Sequence, residues 1–212
     1  CESKKCTNCL GFWGNFVWLR KYIFSLFLKL IDKFVVLSKN SKEILIDNGI
    51  EEEKIEIRRI KVKMGRCKGG KRGVILYVGW LVPHKGLHIL IKALAGIEKD
   101  FKLIIVGDTD IDKRYFNYIK RLIKEEGMED KVLFLGKKKH EEMEKVYSLA
   151  DVVAIPELWE NVSPLVLLES LKLGKNIIAS KIGGIPEILR NRGFLVEAGN
   201  VEEWKKVLEV FL

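Results

Sequence analysis

Residues 74–106 read VILYVGWLVPHKGLHILIKALAGIEKDFKLIIV and set the pattern for most of the chain. Two short apolar runs, 74–78 and 102–106, have the length and composition of buried strands. Between them, apolar side chains recur at spacings of three and four residues, as on a helix that packs one face on a sheet: Leu87, Leu90, Ile91, Leu94 and Ile97. A strand, a helix and a second strand in this order predict a parallel pair of strands.

The same alternation continues to the end of the chain. Further strands are predicted at 131–135, 151–155, 176–179 and 194–196, and helices at 86–98, 113–126, 140–149, 164–173, 186–190 and 201–211. Asn200, with Glu203 three positions later, is a typical cap for the last of these helices. We therefore expect an α/β fold with a doubly wound parallel sheet over 73–212. In such sheets ligands bind at the loops that follow the carboxyl ends of the strands.

The first third of the chain differs in charge and in regularity. Residues 1–73 carry 17 basic and 8 acidic side chains, whereas residues 74–212 carry 21 of each. The net charge of +9 therefore belongs to residues 1–73. Its predicted elements are a helix at about 16–31, a strand at 33–37, a helix at 41–48 and a strand at 54–60, followed by a basic, glycine-rich joint at 65–73. We predict that this joint separates the front of the chain, 1–72, from the regular fold at 73–212. A chain that is 48% apolar can bury a core, which excludes a disordered protein.

Two features of this first third have more than one interpretation. Cys1, Cys6 and Cys9, with Cys67 much later, fit a zinc site, a disulfide or free thiols. The aromatic and basic segment 13–29 fits either a helix that packs against a domain absent from this chain or a contact with a lipid headgroup surface. The segment has no run of about 20 apolar residues, so it predicts no membrane span. We also predict no nucleic-acid partner, because no reader motif accompanies the charge.

The loops after the strands carry the candidate binding residues. Loop 79–86 lacks the Gly-x-Gly-x-x-Gly pattern, which excludes a nicotinamide dinucleotide site of that kind. Lys85 in this loop either offers a point charge to a phosphate or is a solvated lysine in a turn. The spacing Gly65-x4-Gly70-Lys71 matches the first part of a phosphate-binding P-loop. That motif needs Ser or Thr after the lysine and then a helix, whereas here Arg72 follows the lysine and a strand comes next.

The loop at 156–164, PELWENVSP, adds a helix start and a carboxylate. We predict Ser163 as the N-cap and Pro164 as the first helical residue, which leaves the amides of Leu165 and Val166 unpaired and able to bind an anion. Glu169 interrupts an apolar helix and needs partners if it is buried, either the amides of a neighbouring loop or the hydroxyls of a ligand.

The paired glycines Gly183 and Gly184 precede a short helix that begins at Pro186 and Glu187. Glycines let a backbone approach a ligand closely, and a helix N-terminus favours negative charge. Two helix N-termini and one lysine at a single crevice predict a diphosphate site.

Six segments together resemble the nucleotide-sugar-binding half of the family 4 retaining glycosyltransferases, which have the GT-B fold. They occur in family order and spacing: VGWLVPHKG (78–86), LIIVGD (103–108), VLFLG (132–136), ADVVAIP (150–156), SPLVLLE (163–169) and GGIPE (183–187). The resemblance implies a Rossmann-like half of that fold at 73–212. It also implies that 1–72 contains the end of the preceding, acceptor-side domain and a linker.

The resemblance assigns roles to particular residues. Lys85 matches the lysine that contacts the donor diphosphate, and Trp80 stands where the family has an arginine. Glu169 matches the second glutamate of the family's Glu-x7-Glu motif, which holds the donor ribose. The first position of the motif falls on Asn161. Either Asn161 bonds the sugar, or a bulge at Val162 brings Glu160 into the site, and we favour the bulge.

The implied catalytic residues are therefore Lys85, Glu160 and Asn161. The implied donor-binding residues besides Lys85 are Gly79, Trp80, Gly136, Ser163, Leu165, Val166, Glu169, Gly183 and Gly184. The family histidine near the reacting carbon belongs to the acceptor half, and His84, His88 and His140 are not expected to replace it; the last two are expected at the surface of helices.

The implied activity is transfer of a sugar, with retention, from a nucleotide diphosphate to a glycan or a lipid-linked acceptor, without a metal or other cofactor. It requires the missing N-terminal domain, so this chain is expected to bind a donor and transfer nothing. We expect the protein in the cytoplasm or at the inner face of the cell membrane. A non-catalytic nucleotide-binding module and a sugar-nucleotide epimerase of the same fold are the alternatives.

Overall fold

A computed structural model describes residues 14–28, 30–65 and 70–212, and its contacts divide the chain into two compact units, Cys1–Arg59 and Ile60–Leu212. The four cysteines, Trp13 and Lys29 lie outside the described residues. The interpretation of 1–72 as the end of a preceding domain stays a prediction.

The first unit contains two helices and a pair of parallel strands among its described residues. Their bounds are α1 Gly14–Leu28, β1 Phe34–Val36, α2 Lys39–Asp47 and β2 Ile55–Ile57. Apolar side chains of α1 are exposed, among them Phe16, Tyr22, Phe24 and Phe27. Nowhere in the described ranges is a helix both long enough and apolar enough to cross a membrane.

The second unit alternates strand and helix, as predicted. Its elements are β3 Lys71–Val78, α3 Leu87–Ala95, β4 Lys102–Val106, α4 Lys113–Glu125, β5 Val132–Gly136, α5 His140–Leu149, β6 Ala150–Ile155, α6 Leu165–Lys172, β7 Asn176–Ser180, α7 Ile185–Leu189, β8 Phe194–Val196 and α8 Val201–Phe211. Strand β3 begins before the predicted 74, because Lys71 pairs with Ala150 of β6. Residues 71–73, predicted as part of the joint, therefore belong to the sheet.

The six strands of this unit form one sheet in the order β5-β4-β3-β6-β7-β8, and all neighbours are parallel. The chain adds strands outward from β3 to β5, then returns to β6 and adds strands on the other side. This confirms the doubly wound prediction. The carboxyl ends of β3 and β6 therefore lie side by side where the order reverses, which is where such folds form a ligand crevice.

Two apolar layers hold the helices on the two faces of the sheet. Along β3, Ile75 and Tyr77 belong to the layer that contains α3, α4 and α8, and Val74 and Leu76 to the layer that contains α5, α6 and α7. This alternation follows from the period of two along a strand. The predicted apolar face of α3 is confirmed as buried.

The predicted cap of α8 is confirmed as well. The side chain of Asn200 accepts a hydrogen bond from the backbone N–H of Glu203 at 3.1 Å. Trp204 and Leu208 on the inner face of the helix are fully buried.

Candidate functional site

Two loops meet where the strand order reverses: the β3–α3 loop, 79–86, and the β6–α6 loop, 156–164. The backbone N–H of Leu158 donates to the carbonyl of His84 at 2.9 Å. Gly86 has φ +70°, and a Cβ atom there would lie 1.7 Å from the carbonyl oxygen of Pro156. Only glycine fits this position, so the close approach of the two loops depends on it.

Lys85 is held between these loops by an ion pair. Its Nζ donates to Oε1 of Glu157 at 2.7 Å, and the side chains are 20% and 7% exposed respectively. Asn161 Nδ2 donates to the same carboxylate oxygen at 3.0 Å. Lys85 is therefore not a solvated lysine in a turn. Glu157 was missed by our sequence analysis, although an acid directly after a buried strand and a proline, at the carboxyl end of β6, is a signal that could have found it.

Asn161, and not Glu160, contacts this charged pair. The Asn161 side chain is half-buried, and its Oδ1 accepts from the backbone N–H of Ser163 at 3.2 Å. Glu160 is exposed. The motif position found by counting back from Glu169 thus lies beside Lys85. Which residue contacts a sugar stays a prediction.

Helix α6 begins one residue later than predicted. Its first residue is Leu165 and its N-cap is Pro164, which has no side-chain cap. The prediction of Ser163 as the N-cap was wrong, because the Ser163 N–H is bonded back to Asn161 and Pro164 is extended, at φ −61° and ψ 123°. Across the part of the chain that the structure describes, the N–H groups of Leu165 and Val166 have no acceptor. These two amides are unpaired, as predicted, and their binding of an anion stays a prediction.

The paired glycines face a neighbouring loop of the chain itself. Gly183 has φ +57°, and a Cβ atom there would lie 2.7 Å from the carbonyl oxygen of Asn161. The N–H of Gly184 donates to that same oxygen at 2.9 Å, and the N–H of Ile185 donates to Ile182 at 3.2 Å. The first amides at the start of α7 are therefore occupied. A donor-binding role for Gly183 and Gly184 stays a prediction.

Glu169 is buried and accepts a hydrogen bond from a side chain. Its Oε2 accepts from the hydroxyl of Tyr147 at 2.7 Å, and its Oε1 lies 3.9 Å from Nδ1 of His140. Burial and the charge of Glu169 both raise the pKa of Tyr147, so this hydroxyl stays protonated and donates. One carboxylate oxygen is therefore fixed by the protein, and the other faces the exposed His140.

Replacing Tyr147 with phenylalanine should destabilise the chain by about 1.5–3 kcal/mol, because a buried carboxylate loses a donor. Urea unfolding measures this change. The control is Tyr118→Phe, since the half-buried Tyr118 hydroxyl makes none of the hydrogen bonds found among the described residues. Equal losses in the two variants would show that the hydroxyl of Tyr147 has no special partner.

The other predicted site residues lie at the ends of β3 and β5. The N–H of Gly79 donates to the carbonyl of Val106 at 3.0 Å, and Gly107 donates to the carbonyl of Gly136 at 3.1 Å. The side chain of Trp80 is exposed, and its backbone carbonyl accepts a hydrogen bond from the hydroxyl of the buried Tyr77 at 3.0 Å. These bonds join the carboxyl ends of β3, β4 and β5.

The prediction of a surface position was wrong for His88. Its side chain is half-buried, and its Nδ1 lies 2.9 Å from the hydroxyl of Tyr115 on α4. Burial, with a smaller contribution from Lys92, lowers the pKa of His88. His140 is exposed, as expected, and His84 is exposed as well.

Comparison with known proteins points to one family. The family model of the glycosyl transferases group 1 matches residues 64–212. An uncharacterized glycosyltransferase of Methanocaldococcus jannaschii is 35% identical over 142 residues, which cover 66% of this chain and 34% of that protein. A D-inositol 3-phosphate glycosyltransferase of Corynebacterium glutamicum is 30% identical over 146 residues, which cover 66% of this chain and 35% of that protein.

Solved structures agree on the fold. The structure of Anabaena HepE in complex with UDP-glucose aligns with a TM-score of 0.78 at 23% identity, covering 90% of this chain and 57% of that one. The aligned segment spans about a third of the two curated relatives. Because the family model matches more than half of the chain, and the fold is that of a GT-B glycosyltransferase domain, the chain belongs to the group 1 glycosyl transferases.

Proposed function

We propose that this chain binds the donor of a retaining glycosyltransferase, a nucleotide-diphosphate sugar, at the crevice between the carboxyl ends of β3 and β6. The observation that carries the proposal is the partly exposed side chain of Lys85, which lies at the same loop pair as the unpaired amides of Leu165 and Val166. These are the groups that bind phosphate oxygens. HepE, which shares the fold, was solved with UDP-glucose. We take a uracil nucleotide as the first candidate donor.

In the proposed reaction the sugar leaves the diphosphate and is transferred to an acceptor hydroxyl. Catalysis at this half of the enzyme consists of stabilising the negative charge of the leaving diphosphate. An ammonium about 4 Å from a phosphate oxygen contributes a gross attraction of about 4 kcal/mol at an effective dielectric constant near 20. A helix N-terminus contributes about 0.3–1 kcal/mol. Lys85 is therefore the dominant group, and no metal is required in this proposal.

The remaining contacts would fix the nucleoside and the sugar. Glu169 has one oxygen that Tyr147 does not occupy, and we assign it to a ribose hydroxyl. Asn161 bonds the same carboxylate oxygen as Lys85, and we assign it to the sugar of the donor. A further domain would supply the glycan or lipid-linked acceptor, so the complete protein transfers the sugar and this chain only binds the donor.

Isothermal titration of the chain with UDP, GDP and ADP tests this proposal. We expect micromolar binding of one diphosphate and at least tenfold weaker binding of its monophosphate. The same affinity is expected in EDTA, because the lysine and the amides hold the phosphates. Absence of binding with all three nucleotides would contradict the proposal. Loss of binding in EDTA would contradict its metal-free form.

A further inference from the structure

A single residue, Asn161, bonds to the loop before α7 through its backbone and to its own loop, 156–164, through its side chain. Its backbone carbonyl oxygen accepts from the N–H of Gly184, its side-chain Oδ1 accepts from the N–H of Ser163, and its Nδ2 donates to Glu157. Glu157 in turn holds Lys85. An amide is suited to this position because it donates to a carboxylate and accepts from a backbone N–H at the same time.

A carboxylate at position 161 would not fit this network. It would lie close to the carboxylate of Glu157, which is 93% buried, and two carboxylates would then share one ammonium. Like charges in contact at a poorly hydrated site are strongly unfavourable. The acid at 157 and the amide at 161 therefore depend on each other.

Stability alone does not account for a carboxylate at position 157. Only one of its oxygens is bonded, and Oε2 is buried without a partner among the described residues. A buried carboxylate with an unsatisfied oxygen costs free energy. Violations of this kind are retained at functional sites.

We propose that Glu157 is the acidic group of this crevice and the positioning residue of Lys85. In this assignment Glu157 supplies the carboxylate that holds Lys85, and the amide of Asn161 donates to the same oxygen. Among the described residues, Glu157 engages one N–H of the Lys85 ammonium and no other acceptor does, which leaves two N–H groups for phosphate oxygens. The inference rests on the proposed binding of a nucleotide diphosphate.

The test is an exchange of the two side chains, with UDP titration as the first measurement. Asn161→Glu should weaken UDP binding at least tenfold, and the double variant Glu157→Gln, Asn161→Glu should return to within threefold of the wild type. Val162→Glu adds the same charge at the exposed neighbouring position and should change binding less than threefold. If the double variant binds UDP no more tightly than Asn161→Glu, the inference that residues 157 and 161 depend on each other is wrong.

A second pair of variants tests the positioning of Lys85. Glu157→Gln retains an acceptor oxygen for Lys85 and should bind UDP within threefold of the wild type. Glu157→Ala removes that oxygen and should bind at least fivefold more weakly. The control is Glu125→Gln, which neutralises an exposed acid at the end of α4, outside the proposed site, and should have no effect. Equal affinities of Glu157→Ala and the wild type would overturn the positioning role.

Thermal unfolding without a ligand separates this inference from the proposed function. Asn161→Glu should lower Tm by roughly 4–8 °C, and the double variant should recover at least half of that loss. If the wild type binds no nucleotide, the proposed function fails, and the melting temperatures still decide whether residues 157 and 161 are coupled. Additive losses in the double variant would overturn the coupling.

Discussion

Replacing Lys85 with alanine should weaken the binding of UDP by roughly 30–100-fold, which corresponds to about 2–3 kcal/mol. This is less than the gross attraction of about 4 kcal/mol, because the neighbouring carboxylate of Glu157 repels the phosphates. The substitution should also lower the free energy of unfolding by about 3–5 kcal/mol, since it leaves Glu157 buried without its cation. Titration calorimetry and urea unfolding measure the two effects.

The matched control is Lys181→Ala at the end of β7. Lys181 forms an ion pair with Glu197 at 2.8 Å, but its side chain is 58% exposed. Exposed pairs contribute about 0–1 kcal/mol, so stability should hardly change and UDP binding should change less than threefold. In the complete enzyme, Lys85→Ala should also reduce turnover far more than Glu187→Gln at the start of α7. Similar losses for both lysines would show that net charge, and not the position of Lys85, governs binding.

Replacing Gly86 with alanine should lower the free energy of unfolding by about 3–5 kcal/mol, as much as Lys85→Ala does, and should abolish UDP binding. The added Cβ would lie 1.7 Å from the carbonyl oxygen of Pro156, so the two loops must separate. Their separation breaks the Leu158 to His84 hydrogen bond and removes Glu157 from Lys85. A broken buried ion pair and a displaced loop are among the few mechanisms that produce losses of this size.

The variant Gly127→Ala distinguishes the cost of the steric contact at Gly86 from the cost of the left-handed backbone conformation. Gly127 has φ +62°, similar to the +70° of Gly86, but no atom lies within 4 Å of a Cβ placed there. The left-handed conformation alone costs a non-glycine residue about 1–2 kcal/mol. Thermal unfolding should therefore show a smaller loss for Gly127→Ala and a much larger one for Gly86→Ala. Equal losses would mean that the loops tolerate the methyl group.

Most of the fold was predictable because it depends on local periodicity. The three- and four-residue spacing of Leu87, Leu90 and Leu94 identifies the buried face of α3 without any knowledge of its partners. The start of β3 was not predictable in this way. Lys71 and Ala150 pair across the sheet but are far apart in sequence, so only the assembled sheet extends the strand to Lys71.

The candidate site was likewise predictable from the sequence only where it depends on local patterns. The unpaired amides of Leu165 and Val166 follow from the local chemistry of a helix start, and they were predicted although the cap residue was wrong. The place of Glu157 after β6 is a local signal, but its pairing with Lys85 joins residues 72 positions apart, and no local pattern specifies that pairing. The glycines at 183 and 184 predicted that the backbone approaches something closely, but not what it approaches. A glycine that lies against another loop of the chain looks the same in the sequence as a glycine that lies against a ligand.

The most direct test of the account is the position of the backbone amide signals of Leu165 and Val166 in a nitrogen-15 NMR titration with UDP. We expect both signals to shift in proportion to saturation and to remain unmoved by uridine, which has no phosphate. The signals of Gly184 and Ile185, whose amides are bonded within the chain, should move less. Signals of Leu165 and Val166 that stay in place at saturating UDP would contradict the proposal that these amides and Lys85 hold a diphosphate.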